Sequence, residues 1–172
     1  FCSDTAFDVT REAMQVYGAS GYFKDFPVEQ FMRDVKVASL YEGSNGILAL
    51  KMLLMNMGKN AINMKYLIEE IKLSIEKYRN SEWMKDTASD LEKRVALLEQ
   101  TAGSVGRCFA EGRALVPVIH ATNYLKAIGI ISMAWLLMKQ AGIASEKLSA
   151  LYADNGIDQV DLQQVESFLE DN

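Results

Sequence analysis

Proline, cysteine and histidine are nearly missing from this chain: among 172 residues there are two Pro, two Cys and one His. Two prolines and 11 glycines leave long uninterrupted stretches, and these carry apolar residues at helical rather than alternating spacing. Cys2 and Cys108 lie far apart and form no Cys-x-x-Cys pair, which excludes a disulfide-dense secreted scaffold and points to a reducing, cytoplasmic compartment. With His120 as the one imidazole, a histidine-based zinc centre and most Ser-His-Asp or Cys-His schemes are excluded. Any chemistry here falls to a carboxylate. Basic charge is also scarce, with 18 Lys and Arg against 23 Asp and Glu and a net charge of −5. That balance argues against nucleic acid and against a polybasic membrane anchor.

The most apolar window, Ile128 to Met138, is bracketed by Lys126 and Lys139 and is shorter than the roughly 20 residues of a membrane-spanning helix, so it predicts a buried core helix. No signal peptide is visible ahead of it, and a chain starting at Phe1 reads as a fragment or a processed product.

What the sequence does contain is helix punctuation. Ser3 or Asp4 is placed to cap a first helix carrying Ala6, Val9, Ala13, Val16 and Tyr17, ending at Gly18 in a left-handed cap. Pro27 stands where an N1 proline stands, ahead of Val28, Phe31, Met32 and Val35. Ser44 or Asn45 can cap a third helix carrying Ile47, Leu50 and Leu54 up to Gly58. Met64, Leu67, Ile68, Ile71 and Ile75 then mark a helix over Asn63 to Tyr78, and Leu91, Val95, Leu98 and Val105 mark another running towards Gly112. Arg113 to Gln140 reads as an apolar central helix with Pro117 in its first turns, and a last helix is predicted near Val160 to Leu169. The fold class is all-α, an up-and-down helical bundle. The cluster Gly58, Asn60 and Asn63 suggests a division into residues 1–57 and 58–172.

Two loops carry chemistry. Gly18-Ala19-Ser20-Gly21 follows a helix rather than a strand and has no Lys-Ser or Lys-Thr pair, so it is neither a dinucleotide fingerprint nor a P-loop. Glu42 lies just ahead of a helix start, where free N–H groups and the helix dipole can hold an anion. Trp135, Met138 and Met133 have the spacing of a core stripe, His120 reads as a core or interface side chain, and Asp154 to Glu166 lacks the EF-hand ligand order.

Four motifs in fixed order change the weight on Glu42. Gln15-Val16-Tyr17-Gly18-Ala19-Ser20-Gly21-Tyr22, Phe26-Pro27-Val28-Glu29, Met32-Arg33-Asp34 and Tyr41-Glu42-Gly43-Ser44 together resemble the C-terminal helical domain of acyl-CoA dehydrogenases. The family pattern is a glutamine, a glycine-rich turn, Tyr-Pro-Val-Glu, an Arg-Asp pair and Tyr-Glu-Gly-Thr. Residues 58–172 resemble the extra C-terminal helical region of a longer, largely bacterial branch, and the Asn45-Gly46-Ile47 form of the motif fits that branch.

The resemblance implies an FAD-dependent oxidoreductase that desaturates an acyl-CoA thioester between the α and β carbons, with electron-transfer flavoprotein as acceptor and a dimer or tetramer as the assembly. It makes Glu42 the base that removes the α proton, a role that suits a carboxylate whose pKa is raised when substrate excludes water. It puts Tyr41 and Gly43 at the acyl and thioester end. Ser44, Asn45 and Gly46 then meet the flavin of the same subunit, and Gln15, Val16, Tyr17, Gly18 and Ala19 reach FAD across a subunit interface. Ala19 replaces a glycine of the pattern, Ser44 a threonine and Gly46 a glutamine. Arg33-Asp34 and Phe26 to Glu29 read as an ion pair and a helix start. Whole enzymes of the family also have an N-terminal helical domain and a middle β-domain, so this chain alone is expected to be inactive. Two other readings remain open at this point: a non-catalytic helical module for oligomerisation or docking, and an acyl-CoA oxidase.

Overall fold

A computed structural model of the chain describes residues 1–56 and 62–156, and every regular element among the described residues is helical. α1 spans Cys2–Tyr17, a 3-10 turn Gly18–Tyr22, α2 Val28–Val37, α3 Asn45–Met55, α4 Ile62–Tyr78, α5 Lys85–Ala110, α6 Leu115–Ile119 and α7 Ala121–Asp154. The all-α expectation holds, and α3 to α5 begin or end within a few residues of the predicted signals.

Several local expectations are altered. α1 begins at Cys2 with Phe1 as its N-cap and no side-chain cap, because the polar groups of Ser3 and Asp4 are engaged elsewhere. Its C-terminal Gly18 has φ +60 and ψ −143, a region only glycine enters without strain, rather than a left-handed helical cap. Pro27 is the N-cap of α2, one place before the predicted N1 position. The predicted helix from Arg113 is two helices separated at His120, and Pro117 is the third residue of the first. His120 is exposed at that break, so it is not a core side chain. The last predicted helix and the division at 57/58 lie outside the described residues.

The described chain forms two compact units. The first comprises Phe1–Ile68 with Val95–Ile131. α1 packs along α2 and the 3-10 turn, and α3 meets α6. Its buried residues include Val28, Ala49 and Leu53 together with Leu98, Tyr124 and Ile128.

The second unit comprises Glu69–Arg94 and the chain from Ser132 onward. Its core is Ile71, Ile75 and Tyr78 on α4, Met84 just ahead of α5, Ala88 and Leu91 on α5, and Met138 and Tyr152 on α7. Trp135 Nε1 donates to Ser74 Oγ at 2.7 Å, Lys77 Nζ pairs with Glu146 at 2.7 Å, and Arg79 pairs with Glu92 at 2.8 Å. Trp135 is therefore a packing and hydrogen-bonding residue, with the Lys139 ammonium 5.1 Å over its ring.

Buried positions on all three long helices recur at alternating steps of three and four: Met64, Ile68, Ile71, Ile75 and Tyr78; Ala88, Leu91, Val95 and Leu98; Ala121, Tyr124, Ile128 and Ile131. This is the heptad spacing of a helix that buries one seam. α7 is also apolar away from its seam, and Ile130, Leu136, Leu137 and Ile143 are exposed. The expectation of an apolar segment surrounded by other helices is therefore not met by this chain. The short window continues into a 34-residue helix, long and apolar enough to cross a membrane by length and composition, and 22% of its most apolar window is buried.

Candidate functional site

The turn between α2 and α3 is tied at both ends and open in the middle. Leu40 and Tyr41 donate their N–H groups to Val37 O at 2.9 and 3.0 Å, winding down α2, and Asn45 N–H reaches back to Ser39 O at 3.4 Å. Between these ties the chain reverses through Glu42 at φ +56 and Gly43 at φ +106. Glycine takes such angles freely, but a glutamate does not, and Glu42 is the one non-glycine residue with positive φ among the described residues. Among the described residues the N–H groups of Glu42 and Gly43 donate to no backbone acceptor. Tyr41 and Glu42 are exposed and Gly43 half-buried.

Ser44 has the extended backbone of an N-cap, yet its hydroxyl makes no cap hydrogen bond to α3. That leaves the first-turn N–H groups at Gly46 and Ile47 without a backbone acceptor or a cap from the Ser44 side chain. Asn45, the first residue of α3, is held by its side chain: Nδ2 donates to Asp4 Oδ1 at 2.8 Å and to Ser3 Oγ at 3.0 Å, and the Ser3 hydroxyl lies 3.3 Å from Asn45 Oδ1. Ser3 and Asp4 read in the sequence as helix caps. No local signal marks them as partners of a residue 42 and 41 positions away, so sequence reasoning missed their part in this loop.

The second candidate group occupies the other end of α1. Gln15, Val16, Tyr17, Gly18 and Ala19 are all exposed, Val16 at 86%. Gly21 is buried, and a Cβ there would come within 2.7 Å of Met14 O and 2.8 Å of Tyr17 Cβ, so its lack of a side chain lets the 3-10 turn close against α1. Tyr17 in turn packs its ring on Phe26 at 5.4 Å. At 1.5 Å per residue, Asp4 and Gln15 are about 17 Å apart along the helix. The structure thus brings Tyr41 to Gly46 together with the start of α1, and sets Gln15 to Ala19 at its far end.

Arg33 does pair with a carboxylate, but with that of Glu29 rather than Asp34. Nε and Nη2 meet the two Glu29 oxygens at 2.9 and 3.2 Å, which raises the guanidinium pKa, first by the hydrogen bond and then by the charge. Side chains four apart share a helix face, whereas neighbours diverge. The Phe26 to Glu29 and Met32 to Asp34 motifs are thereby joined by one bidentate contact.

No cluster of three His, Cys, Asp or Glu side chains suited to a metal occurs among the described residues. The donors at the α3 start are a hydroxyl and backbone N–H groups, and around Gly46 a Cβ would meet only open space. Uncharged donors facing open space fit the polar edge and hydroxyls of a flavin. Ala19 adds a methyl to an exposed turn, where room remains.

A family model described as "Acyl-CoA dehydrogenase, C-terminal domain" matches residues 1–58, and one described as "Acetyl-CoA dehydrogenase C-terminal like" matches residues 67–170. The probable acyl-CoA dehydrogenase fadE25 of Mycobacterium leprae is 55% identical over 47 residues, 27% of this chain and 12% of the relative. The acyl-CoA dehydrogenase of Bacillus subtilis is 51% identical over 47 residues, again 27% and 12% of the two chains. The broad-specificity linear acyl-CoA dehydrogenase FadE5 of Mycobacterium tuberculosis is 24% identical over 154 residues, 86% of this chain and 25% of the relative. The matched chain thus spans a quarter or less of the length of these relatives.

Proposed function

The chain belongs to the acyl-CoA dehydrogenase family, and from that premise we propose that it is the C-terminal helical part of an FAD-dependent enzyme that desaturates an acyl-CoA thioester between its α and β carbons. Glu42 is its base. The observation that carries this reading is the Glu42 backbone, held in a conformation costly for a non-glycine residue at the entry to α3. Strain of this kind is concentrated at functional positions, where it fixes the direction of a reacting group.

In this reading the Glu42 carboxylate accepts the α proton of the thioester, while its backbone N–H donates to the thioester carbonyl oxygen. That N–H has no backbone partner among the described residues, which suits the role. Removing one such donor costs about 3 kcal/mol in an oxyanion hole. Tyr41 and Gly43 flank the acyl and thioester end. Ser44, Asn45 and Gly46 at the start of α3 would hold the flavin of the same subunit, with the Ser44 hydroxyl and the Gly46 N–H as donors. Gln15, Val16, Tyr17, Gly18 and Ala19 hold the FAD of a neighbouring subunit in a dimer or tetramer, and their exposure at the far end of α1 supports that assignment. FAD, when bound, supplies the acceptor for the β hydride.

The proposal extends to residues 1–57 as the end of the catalytic helical domain and 58–172 as an additional helical region. It takes electron-transfer flavoprotein as the electron acceptor and the cytoplasm as the compartment, with no nucleic-acid or membrane partner. Because Glu42 is exposed here, substrate and the enzyme's other domains must exclude water from it, and the 172-residue chain alone is inactive. The test is Glu42→Gln in the full-length enzyme, with acyl-CoA desaturation and flavin content measured together. Loss of turnover with flavin retained is expected, and unchanged turnover overturns the base assignment.

A further inference from the structure

Resting on Glu42 as the base, we propose that Asp4 and Ser3 are positioning residues for the Glu42 loop and act on it through the side chain of Asn45. Three observations meet at this point. The residues that need holding, Glu42 at φ +56 and Gly43 at φ +106, lie between one tie at Tyr41 and another at Asn45. The Asn45 tie is weak in the backbone, a single 3.4 Å contact to Ser39 O, and strong in the side chain, where contacts of 2.8 and 3.0 Å run to Asp4 and Ser3. Neither side of this clamp serves its own helix: α1 has no side-chain cap, and α3 is capped in position by Ser44 rather than Asn45.

The clamp fastens the loop to α1, the helix that also packs along α2. The two helices flanking the loop are therefore referenced to one body. A glutamate persists in a left-handed conformation only where its surroundings over-determine it, and the Asn45 anchor, three residues on, provides that constraint. The same geometry revises how Asn45 would serve a flavin. Its side-chain amide is committed to Ser3 and Asp4 and its backbone N–H to Ser39 O, so it would meet the cofactor by contact and by holding Ser44 and Gly46 in place, not as a donor.

The test uses the full-length flavoenzyme with Asp4→Ala, Asn45→Asp, and the exchange Asp4→Asn with Asn45→Asp. Asn45→Asp removes the donor and sets two carboxylates against each other. The exchange restores one donor and one acceptor with their places reversed. The expected result is a fall in kcat of roughly ten- to hundredfold in both single variants, as for a misplacement of about 1 Å, with KM and flavin content held within twofold. In the exchange variant kcat recovers. A packing role alone would lower thermal stability without this split between kcat and KM. Wild-type kcat in Asn45→Asp overturns the proposal, as does an exchange variant that folds with full flavin but stays as slow as the single one. Loss of flavin in Asn45→Asp that the exchange does not restore also overturns it, since Asn45 would then act on the cofactor directly. Glu42→Gln run in parallel separates the failures: an inactive Glu42→Gln beside a fully active Asn45→Asp sinks the clamp and leaves the base standing.

Discussion

The ring of Tyr78 lies directly on the backbone of Gly142, so close that a Cβ at position 142 would overlap Cζ, Cε1 and Oη of the tyrosine. Tyr78 ends α4 and is buried, and Gly142 sits inside α7. Alanine in place of a mid-helix glycine normally gains about 1 kcal/mol. Here the overlap opposes that gain, since overpacking a core costs about 1–3 kcal/mol. Gly142→Ala is therefore expected to lower stability by about 1 kcal/mol rather than raise it. Pairing it with Tyr78→Leu, which withdraws the ring, recovers part of the loss. Thermal unfolding of the single and double variants checks this, and a more stable Gly142→Ala protein contradicts the contact.

With Glu42 as the proposed base, its left-handed backbone sets stability against activity. A left-handed conformation costs a non-glycine residue about 1–2 kcal/mol, while glycine returns about 0.5–1 kcal/mol of that through the unfolded chain. Glu42→Gly is expected to abolish desaturation yet leave stability equal or higher by up to about 1 kcal/mol. A loss of more than about 1 kcal/mol in urea unfolding would mean that the Glu42 side chain contributes to folding.

Arg33 and Glu29 belong to two motifs shared with the family, yet their pair is exposed at the Arg33 end and joins residues four apart on one helix. Such pairs contribute about 0.3–0.5 kcal/mol. Arg33→Ala should therefore change the unfolding free energy read from denaturant titration by no more than about 0.5 kcal/mol. A larger effect would assign the arginine a partner other than Glu29.

Burial pushes the Tyr124 phenol above its ordinary value of 10.0. Below that value the phenol is neutral in folded and unfolded chains alike and contributes nothing to pH dependence. As pH rises past about 10 the unfolded chain loses the proton first, so stability falls until the raised folded-state value is reached. Tyr124→Phe removes this component. The decline in melting temperature on the alkaline side of pH 10 should be shallower in the variant, and an equal slope in both proteins contradicts the shift.

The division between what could and could not be read from the sequence follows the range of the interactions. α4, α5 and the start of α3 were legible because their signals are local: apolar residues at steps of three and four, and breaks at glycine. The Tyr41 to Ser44 motif was legible as a pattern, and its loop lies where the helix start predicted it. By contrast, Ser3 and Asp4 have the right residue types for caps, and only their encounter with Asn45 shows another use. Arg33 chose Glu29 over Asp34 because helical geometry turns adjacent side chains apart. The window Ile128 to Met138 looked like a core segment by composition. Whether its apolar side chains are covered depends on which helices surround α7, and Leu136 and Leu137 are exposed in this chain.

The sequence by itself determined that this is an all-α protein, where most of its helices lie, and that the carboxylate of Glu42 stands at a helix entry. Those properties follow from propensities and periodicities within a few turns of chain. Tertiary structure alone decided that Glu42 is held at positive φ, that the start of α1 clamps its loop, and that Tyr78 leaves no room for a side chain at Gly142. Each of these depends on atoms brought together from distant positions or on a backbone angle that no residue type dictates.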